Sequence, residues 1–289
     1  MIQEDRFQRF LFEQTGVRGE FVRLDESWRS VLARHAYPET VREQLGQALA
    51  AVLLLSATIK LNGSLILQTQ SDGPLCTLVA QATHHNAVRG IAHWHGEVPH
   101  GPLSAVFGAG RLVLTIQNEG AEPYQGVTAL EGHNLAEALE SYFSLSEQLA
   151  TRLWLAADED RAAGLFLQEL PTRQPQAEDW NRIALLADTV TEGELLSLPV
   201  EQLLYRLFNE ERVRLFDPEA VTFRCNCSRN RIETVLLAMG RQEVDAILAE
   251  QGAIEAHCEF CNRRYHLDAV DIGLLFADDS RVLGSSRRH

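Results

Sequence analysis

At 289 residues with 45% hydrophobic content, the chain is long enough for a conventional buried core and, at about 100 to 200 residues per domain, predicts two domains. A formal charge of −14 opposes binding to nucleic-acid phosphates, and the longest apolar run, Ala48 to Leu55, falls far short of the roughly 18 positions of a membrane-spanning helix. The amino terminus has Gln3, Glu4, Asp5 and Arg6 where a secretory signal has a basic and then an apolar segment, so the expected compartment is the cytoplasm.

In chain order, Phe21 to Leu24, Ser64 to Thr69, Leu75 to Ala80, Arg111 to Ile116 and Tyr124 to Leu130 are β-branched or alternating and predict strands. Between the first two, Pro38 to Lys60 has helical spacing, with Val41, Leu45, Leu49 and Val52 in one stripe. It becomes apolar all round by Leu53 to Leu55, which predicts a helix buried on several sides. Pro38 suits its first turn. Ser71-Asp72-Gly73-Pro74 reads as a turn between two strands, and Leu135 to Leu149 as an amphipathic helix carrying Tyr142 and Phe143. Strands around Arg152 to Ala156 and Gly164 to Leu170 complete an α+β core with a mainly antiparallel sheet, expected to end at about residue 173. The boundary is placed in Pro171-Thr172-Arg173-Gln174-Pro175-Gln176, which has two prolines and no periodicity.

Residues 174–222 predict a helical linker. Thr191 with Glu194 makes a capping-box pattern, and Leu198-Pro199 precedes a stripe of Leu203, Leu204, Leu207 and Phe208. A helix this short is marginal when isolated in water, so the stripe must pack on the core or on another chain. From residue 223 to 289 a small module is expected. It has helices at Arg231 to Met239 and Glu243 to Glu250, each stopped by a glycine, and paired strands at Ile254 to His257 and Arg264 to Leu267. A closing helix spans Ala269 to Phe276, with fraying from Asp278 onward.

Four of the five cysteines fall in this last module. Cys225 and Cys227 are separated by one residue, Cys258 and Cys261 by two, and 30 residues lie between the pairs. In extended chain, side chains two apart share a face, and the second pair suits a tight turn, so the four thiolates can close a tetrahedron around one zinc ion. Four sulfurs leave no open position for water or substrate, which argues against a zinc hydrolase. The spacing by itself favours a purely structural site, since most closed thiolate sites do nothing else. From Phe223 onward nine arginines stand against ten carboxylates, less basic than a zinc module that reads DNA. A structural zinc supplies about 10 to 16 kcal/mol of apparent folding free energy, so losing it should unfold the module and expose Val235, Leu236, Leu237, Ile247 and Leu248.

The residues resemble the heat-shock protein 33 family of redox-regulated bacterial holdase chaperones. The resemblance lies in Phe223-Arg224-Cys225-Asn226-Cys227-Ser228-Arg229, Glu243-Val244-Asp245 and His257-Cys258-Glu259-Phe260-Cys261. It extends through the amino-terminal part at Val17-Arg18-Gly19, Val22-Arg23-Leu24, Tyr37-Pro38, Asp72-Gly73-Pro74-Leu75, Tyr124-Gln125-Gly126-Val127, Leu135 to Leu139 and Ser146-Glu147-Gln148-Leu149. It implies that Cys225, Cys227, Cys258 and Cys261 hold one zinc when reduced, and that oxidation pairs Cys225 with Cys227 and Cys258 with Cys261 and releases the metal. Two residues of strand rise, about 6.6 Å, lie near the upper limit for disulfide Cα separation, so a Cys225 to Cys227 bridge would be strained and easily reduced again. The resemblance further implies that the linker disorders, that the oxidised protein forms a homodimer, and that it holds unfolded or unfolding client proteins without ATP. Clients would then pass to the seventy-kilodalton chaperone system. The stripe Leu203, Leu204, Leu207 and Phe208 is the candidate client-binding surface.

Other candidates are weaker. Cys76 lies in an apolar strand and reads as a buried, inert thiol outside the switch. His84-His85 and His93-Trp94-His95 lack an accompanying carboxylate or cysteine pattern, while His257 and His266 flank a zinc site that four cysteines already satisfy. Ser56, Ser104 and Ser146 sit in no nucleophile elbow and no phosphate-binding glycine loop is present, so no enzyme activity is expected. Two alternatives stay open: a structural zinc-ribbon adaptor for a protein partner, and a thiol oxidoreductase using Cys258-Glu259-Phe260-Cys261, which lacks the neighbouring βαβ pattern.

Overall fold

A computed structural model of the chain describes residues 5–170 and 177–285. The expected boundary segment at 171–176 lies outside the described residues. The chain divides into two compact units, Met1–Arg224 and Cys225–His289.

The first unit opens with β1 (Arg6–Phe12), β2 (Val17–Leu24), α1 (Glu26–Leu32) and the long α2 (Glu39–Thr58). There follow β3 (Gly63–Ser71), β4 (Leu75–Thr83), β5 (Ala87–Trp94), α3 (Leu103–Phe107), β6 (Gly110–Asn118), β7 (Tyr124–Ala129), α4 (Leu135–Tyr142), β8 (Thr151–Ala157) and β9 (Ala162–Glu169). Three helices come next, α5 (Ala177–Ala187), α6 (Glu192–Ser197) and α7 (Val200–Phe208), and then short strands β10 (Val213–Leu215), β11 (Glu219–Ala220) and β12 (Thr222–Phe223).

The strands form two sheets, in the orders β10-β1-β2-β9-β8, with β11 also on β1, and β12-β5-β4-β3-β6-β7. All pairs are antiparallel except β12 with β5, which is parallel, so the mixed helix and antiparallel-sheet class expected from the sequence is observed. The second helix packs against strands of both sheets and is buried at every residue from Ala48 through Ser56, as its all-round apolar sequence requires. Gly19 of β2 lies opposite Phe10, where a Cβ would sit 2.1 Å from the phenyl ring. Gly73, in the β3–β4 turn, abuts the α3 backbone, where a Cβ would meet the Phe107 carbonyl carbon at 2.2 Å.

The first sheet is covered on both faces. Phe7, Val22 and Phe166 face α2, while Phe10, Phe12, Phe21, Leu165 and Leu167 face the helical connector α5–α7. Leu203, Leu204, Leu207 and Phe208 of α7 are all buried there, and the Phe208 ring meets Phe12 edge to face at 4.9 Å. The capping box at the start of α6 is present, with the Thr191 hydroxyl and the Glu194 carboxylate each accepting from the other's backbone N–H.

Between α6 and α7 the connector is also held by charge. Asp25, nearly inaccessible, lies 2.8 Å from Arg161 Nε and 3.6 Å from Arg23 Nε. Arg23 Nη1 donates to the Leu198 carbonyl at 2.9 Å and Arg161 Nη1 to that of Leu196 at 3.2 Å. These carbonyls lie where α6 ends and cannot bond within a helix, so two guanidiniums take them up while Asp25 balances the buried charge. Burial draws the Arg23 pKa down, and Asp25 opposes that shift.

Three expectations are corrected. Strands β1 and β5 and helix α1 lie in segments where none is predicted, because a strand buried on both faces, or carrying Gly90 and His93, loses the expected alternation. The helix expected over Leu135 to Leu149 ends at Tyr142 and gives way to a π turn at Phe143–Glu147, which keeps both Tyr142 and Phe143 buried; Gln148 closes it at φ 55°. The closing helix of the second unit runs to Ser285, past the position where fraying is expected to begin.

Candidate metal centre

The second unit contains α8 (Arg229–Met239), α9 (Arg241–Gln251), the hairpin β13 (Ile254–His257) with β14 (Arg264–Leu267), and α10 (Ala269–Ser285). Gly240 at φ 91° separates the first two helices and Gly252 at φ 77° ends the second, a conformation that glycine adopts without the Cβ penalty of other residues. The apolar core is small: Leu236, Val244, Ile254, Leu267 and Ile272 are buried, while Val235 is largely exposed.

Cys225 and Cys227 lie in the segment between β12 and α8, outside helix and strand, and the first turn of α8 is capped by the Ser228 hydroxyl accepting from Arg231 N–H. Cys258 and Cys261 occupy the tight turn of the hairpin. Within it the amides of Cys261 and Asn262 donate to the Cys258 carbonyl at 3.3 and 2.7 Å, and Asn262 takes φ 54°. The Cys258 amide in turn donates to the Arg263 carbonyl at 2.9 Å. A hydrogen-bonded turn thus presents two thiols to the two from the segment before α8.

All four Sγ atoms lie within 4.8 Å of one another, with Cys225 to Cys258 at 3.6 Å and Cys227 to Cys261 at 3.4 Å. Tetrahedral coordination with Zn–S bonds of about 2.3 Å places sulfurs about 3.8 Å apart, close to the two shorter separations here, so this donor set suits one four-coordinate thiophilic ion. The thiols resist ionising together. Burial opposes the thiolate at Cys227, although the Tyr265 hydroxyl and the neighbouring thiols bring it down to about 7, while burial pushes Cys258 up and Cys261 up to about 12. A dication at the centre reverses that balance and leaves the sulfurs as thiolates.

Among the described residues these four cysteines form the one group of at least three His, Cys, Asp or Glu side chains placed to hold a metal. His257 and His266 are exposed on the hairpin and stand outside it. The His84 and His85 rings lie tilted at 43° to each other with centroids 3.8 Å apart, and the His84 ring nitrogen meets the Gly63 carbonyl.

Cys76 departs from expectation. It is half-buried and not enclosed, at an irregularity in the β4–β5 register, and its Sγ lies 3.1 Å from His95 Nδ1. The extra residue of a bulge turns the side chain away from the core, and the two residues meet across the sheet although 19 positions apart. The notional client residues Leu203, Leu204, Leu207 and Phe208 are brought together, but against the first sheet and away from solvent. Among the described residues no helix is long and apolar enough to cross a membrane.

Comparison with known proteins matches this architecture. A family model described as Hsp33 protein matches residues 5–268. The chain is 64% identical to the 33 kDa chaperonin of Nitrosococcus oceani over the whole length of both, and 46% identical to that of Methylobacillus flagellatus over 99% of each. The crystal structure of the 33 kDa chaperonin from Thermotoga maritima superposes with a TM-score of 0.82 at 23% identity, covering 96% of this chain and 99% of that one.

Proposed function

The chain belongs to the Hsp33 family, and from that premise we propose that it is a redox-regulated, ATP-independent holdase whose metal centre is the switch. One observation carries the reading. Four thiols converge within 4.8 Å in a unit that buries five apolar side chains among the described residues, so metal and fold are expected to stand or fall together. Four cysteine thiolates suit zinc, and the reading assigns one zinc per chain in the reduced state.

An oxidant such as hydrogen peroxide takes two electrons from each of two thiol pairs. Peroxide is reduced to water, two S–S bonds form, and the ion loses its ligands. We assign the pairs as Cys225 with Cys227 and Cys258 with Cys261, each formed within one short segment. Without its ion the 225–289 unit lacks the core to stay folded. Unfolding then spreads to the connector, releasing Leu203, Leu204, Leu207 and Phe208 as an apolar surface for unfolding client proteins. The oxidised chain forms a homodimer and hands clients to the seventy-kilodalton chaperone system after reduction. The domain division proposed is a core to 173, a linker at 174–222 and a switch module at 223–289. No catalytic turnover is part of this function, and its setting is the cytoplasm.

The test follows metal release with a colorimetric chelator alongside light scattering from a heat-unfolding protein, before and after peroxide at raised temperature. About one zinc released per chain, with scattering suppressed and both effects reversed by a thiol reductant, is the expected result. Retained zinc with unchanged scattering would return the structural zinc-ribbon adaptor to first place.

A further inference from the structure

The first unit contains a cavity of about 500 Å³ between its two sheets, at the carboxy-terminal end of α2. Leu55, Ile59, Leu65, Leu114, Ile116 and Phe143 give it apolar walls, and a volume of this size suits a small-molecule site. Among the described residues lining it, Arg18 is the only basic one.

Arg18 is unusually placed for a cation beside such walls. Its Nη2 donates to Gln168 Oε1 at 2.6 Å and reaches the Thr58 carbonyl at 3.5 Å, both uncharged acceptors. Its Nε–H is buried without a partner. Among the described residues no carboxylate forms an ion pair with it. Glu20, two residues along the same face of β2, is held largely protonated at neutral pH because burial pushes its pKa up to about 8 against the pull of Arg18 and Arg9. Glu147 at the rim is engaged by the Tyr142 hydroxyl at 3.1 Å. A guanidinium that lines an apolar cavity and is met by uncharged acceptors is complementary to a ligand with an anionic head and an apolar body.

We propose that this cavity binds a small amphiphilic carboxylate of the medium-chain fatty-acid class, its head on Arg18 and its chain along the apolar walls. The site belongs to the folded first unit and is separate from the metal centre.

Calorimetric titration of the reduced, metal-loaded full chain with decanoate and with decanol, both below their aggregation limits, tests it. Saturable binding of one decanoate per chain is expected, tighter than decanol by about 10- to 100-fold, the difference that one hydrogen bond to a charged group makes. Arg18→Gln should abolish that preference and leave decanol binding as it was; Ile116→Trp should block both ligands by filling the cavity. Should either variant fail to fold, nuclear Overhauser contacts between decanoate methylenes and the Leu65 and Leu114 methyls in the parent chain give the answer directly. The proposal is overturned if decanoate does not saturate, if it binds no better than decanol, or if its contacts fall outside this cavity.

Discussion

Replacing Asp25 with Asn isolates the hold of the core on the connector from the apolar stripe that the connector carries. The substitution keeps the side-chain shape and removes one buried negative charge. It spares the start of α1, where the Asp25 side chain makes no capping hydrogen bond. It leaves the Arg23 guanidinium, with its side chain 2% exposed, beside an uncharged amide while that guanidinium still serves the Leu198 carbonyl. Breaking one partner of a buried pair costs about 3–5 kcal/mol, and because Arg161 is about one-third exposed the lower half of that range is expected here. If the cost falls on the docked connector, its released population rises by about 100-fold or more, at 1.4 kcal/mol per tenfold. Amide hydrogen exchange across Glu192 to Phe208 should speed up by that factor in the reduced, zinc-loaded protein. Light scattering should then show partial client protection without oxidant. An Asp25→Asn chain with parental exchange in α6 and α7, or with faster exchange and no gain in protection, refutes the link between docking and latency.

The buried Glu20 makes stability depend on pH. Its pKa is raised from 4.5 to about 8 by burial, so the folded chain binds more protons than the unfolded one between those values. Its contribution is therefore fully present below pH 4.5 and is lost as pH rises towards 8, at up to about 1.4 kcal/mol per unit. Glu20→Gln should flatten that slope in urea denaturation followed by tryptophan fluorescence; an unchanged slope counts against the assignment. Cys258→Ser should lower bound zinc from about one per chain to near zero and remove amide protection from 225–268 while β3 to β6 keep theirs. Persistence of that protection would show that the unit folds without metal. Leu204→Ser combined with Phe208→Ser should weaken client holding after oxidation without changing zinc content, and equal suppression of aggregation by variant and parent would remove the stripe from the client surface. Cys76→Ser should leave zinc release unaltered; slower release would bring the thiol beside His95 into the switch.

The convergence of the four cysteines was legible in the sequence because its signal is local. Two pairs with gaps of one and two residues already dictate that each pair shares a face or a turn, and the hairpin at 254–267 and both glycine stops lie where expected. The burial of α2 followed from Leu53-Leu54-Leu55 in the same way. What the sequence hides are meetings across long separations. The α7 stripe announces that it must pack, but its partners Phe10 and Phe12 lie in β1, where phenylalanines at 7, 10 and 12 serve opposite faces of a doubly covered sheet. Arg161 and Asp25 are 136 positions apart, and nothing near either one marks a clasp. Cys76 looked like core because its neighbours Leu75 and Leu78 are core; only the shifted register turns it towards His95.

The connector is fastened at both ends to the same sheet: it leaves from β9, which ends at Glu169, and returns through β10, paired to β1 from Val213. A segment so moored cannot drift away when it lets go. If oxidation frees α5 to α7 as proposed while β10 stays paired to β1, they form a closed loop, and the entropy of closing it grows only with the logarithm of its length. Re-docking is then a first-order event, governed by the local concentration that the tether imposes and independent of how much protein the cell contains. A latch of this kind resets as fast in a dilute cell as in a crowded one, and any client bound along it competes against a rival that is always within reach.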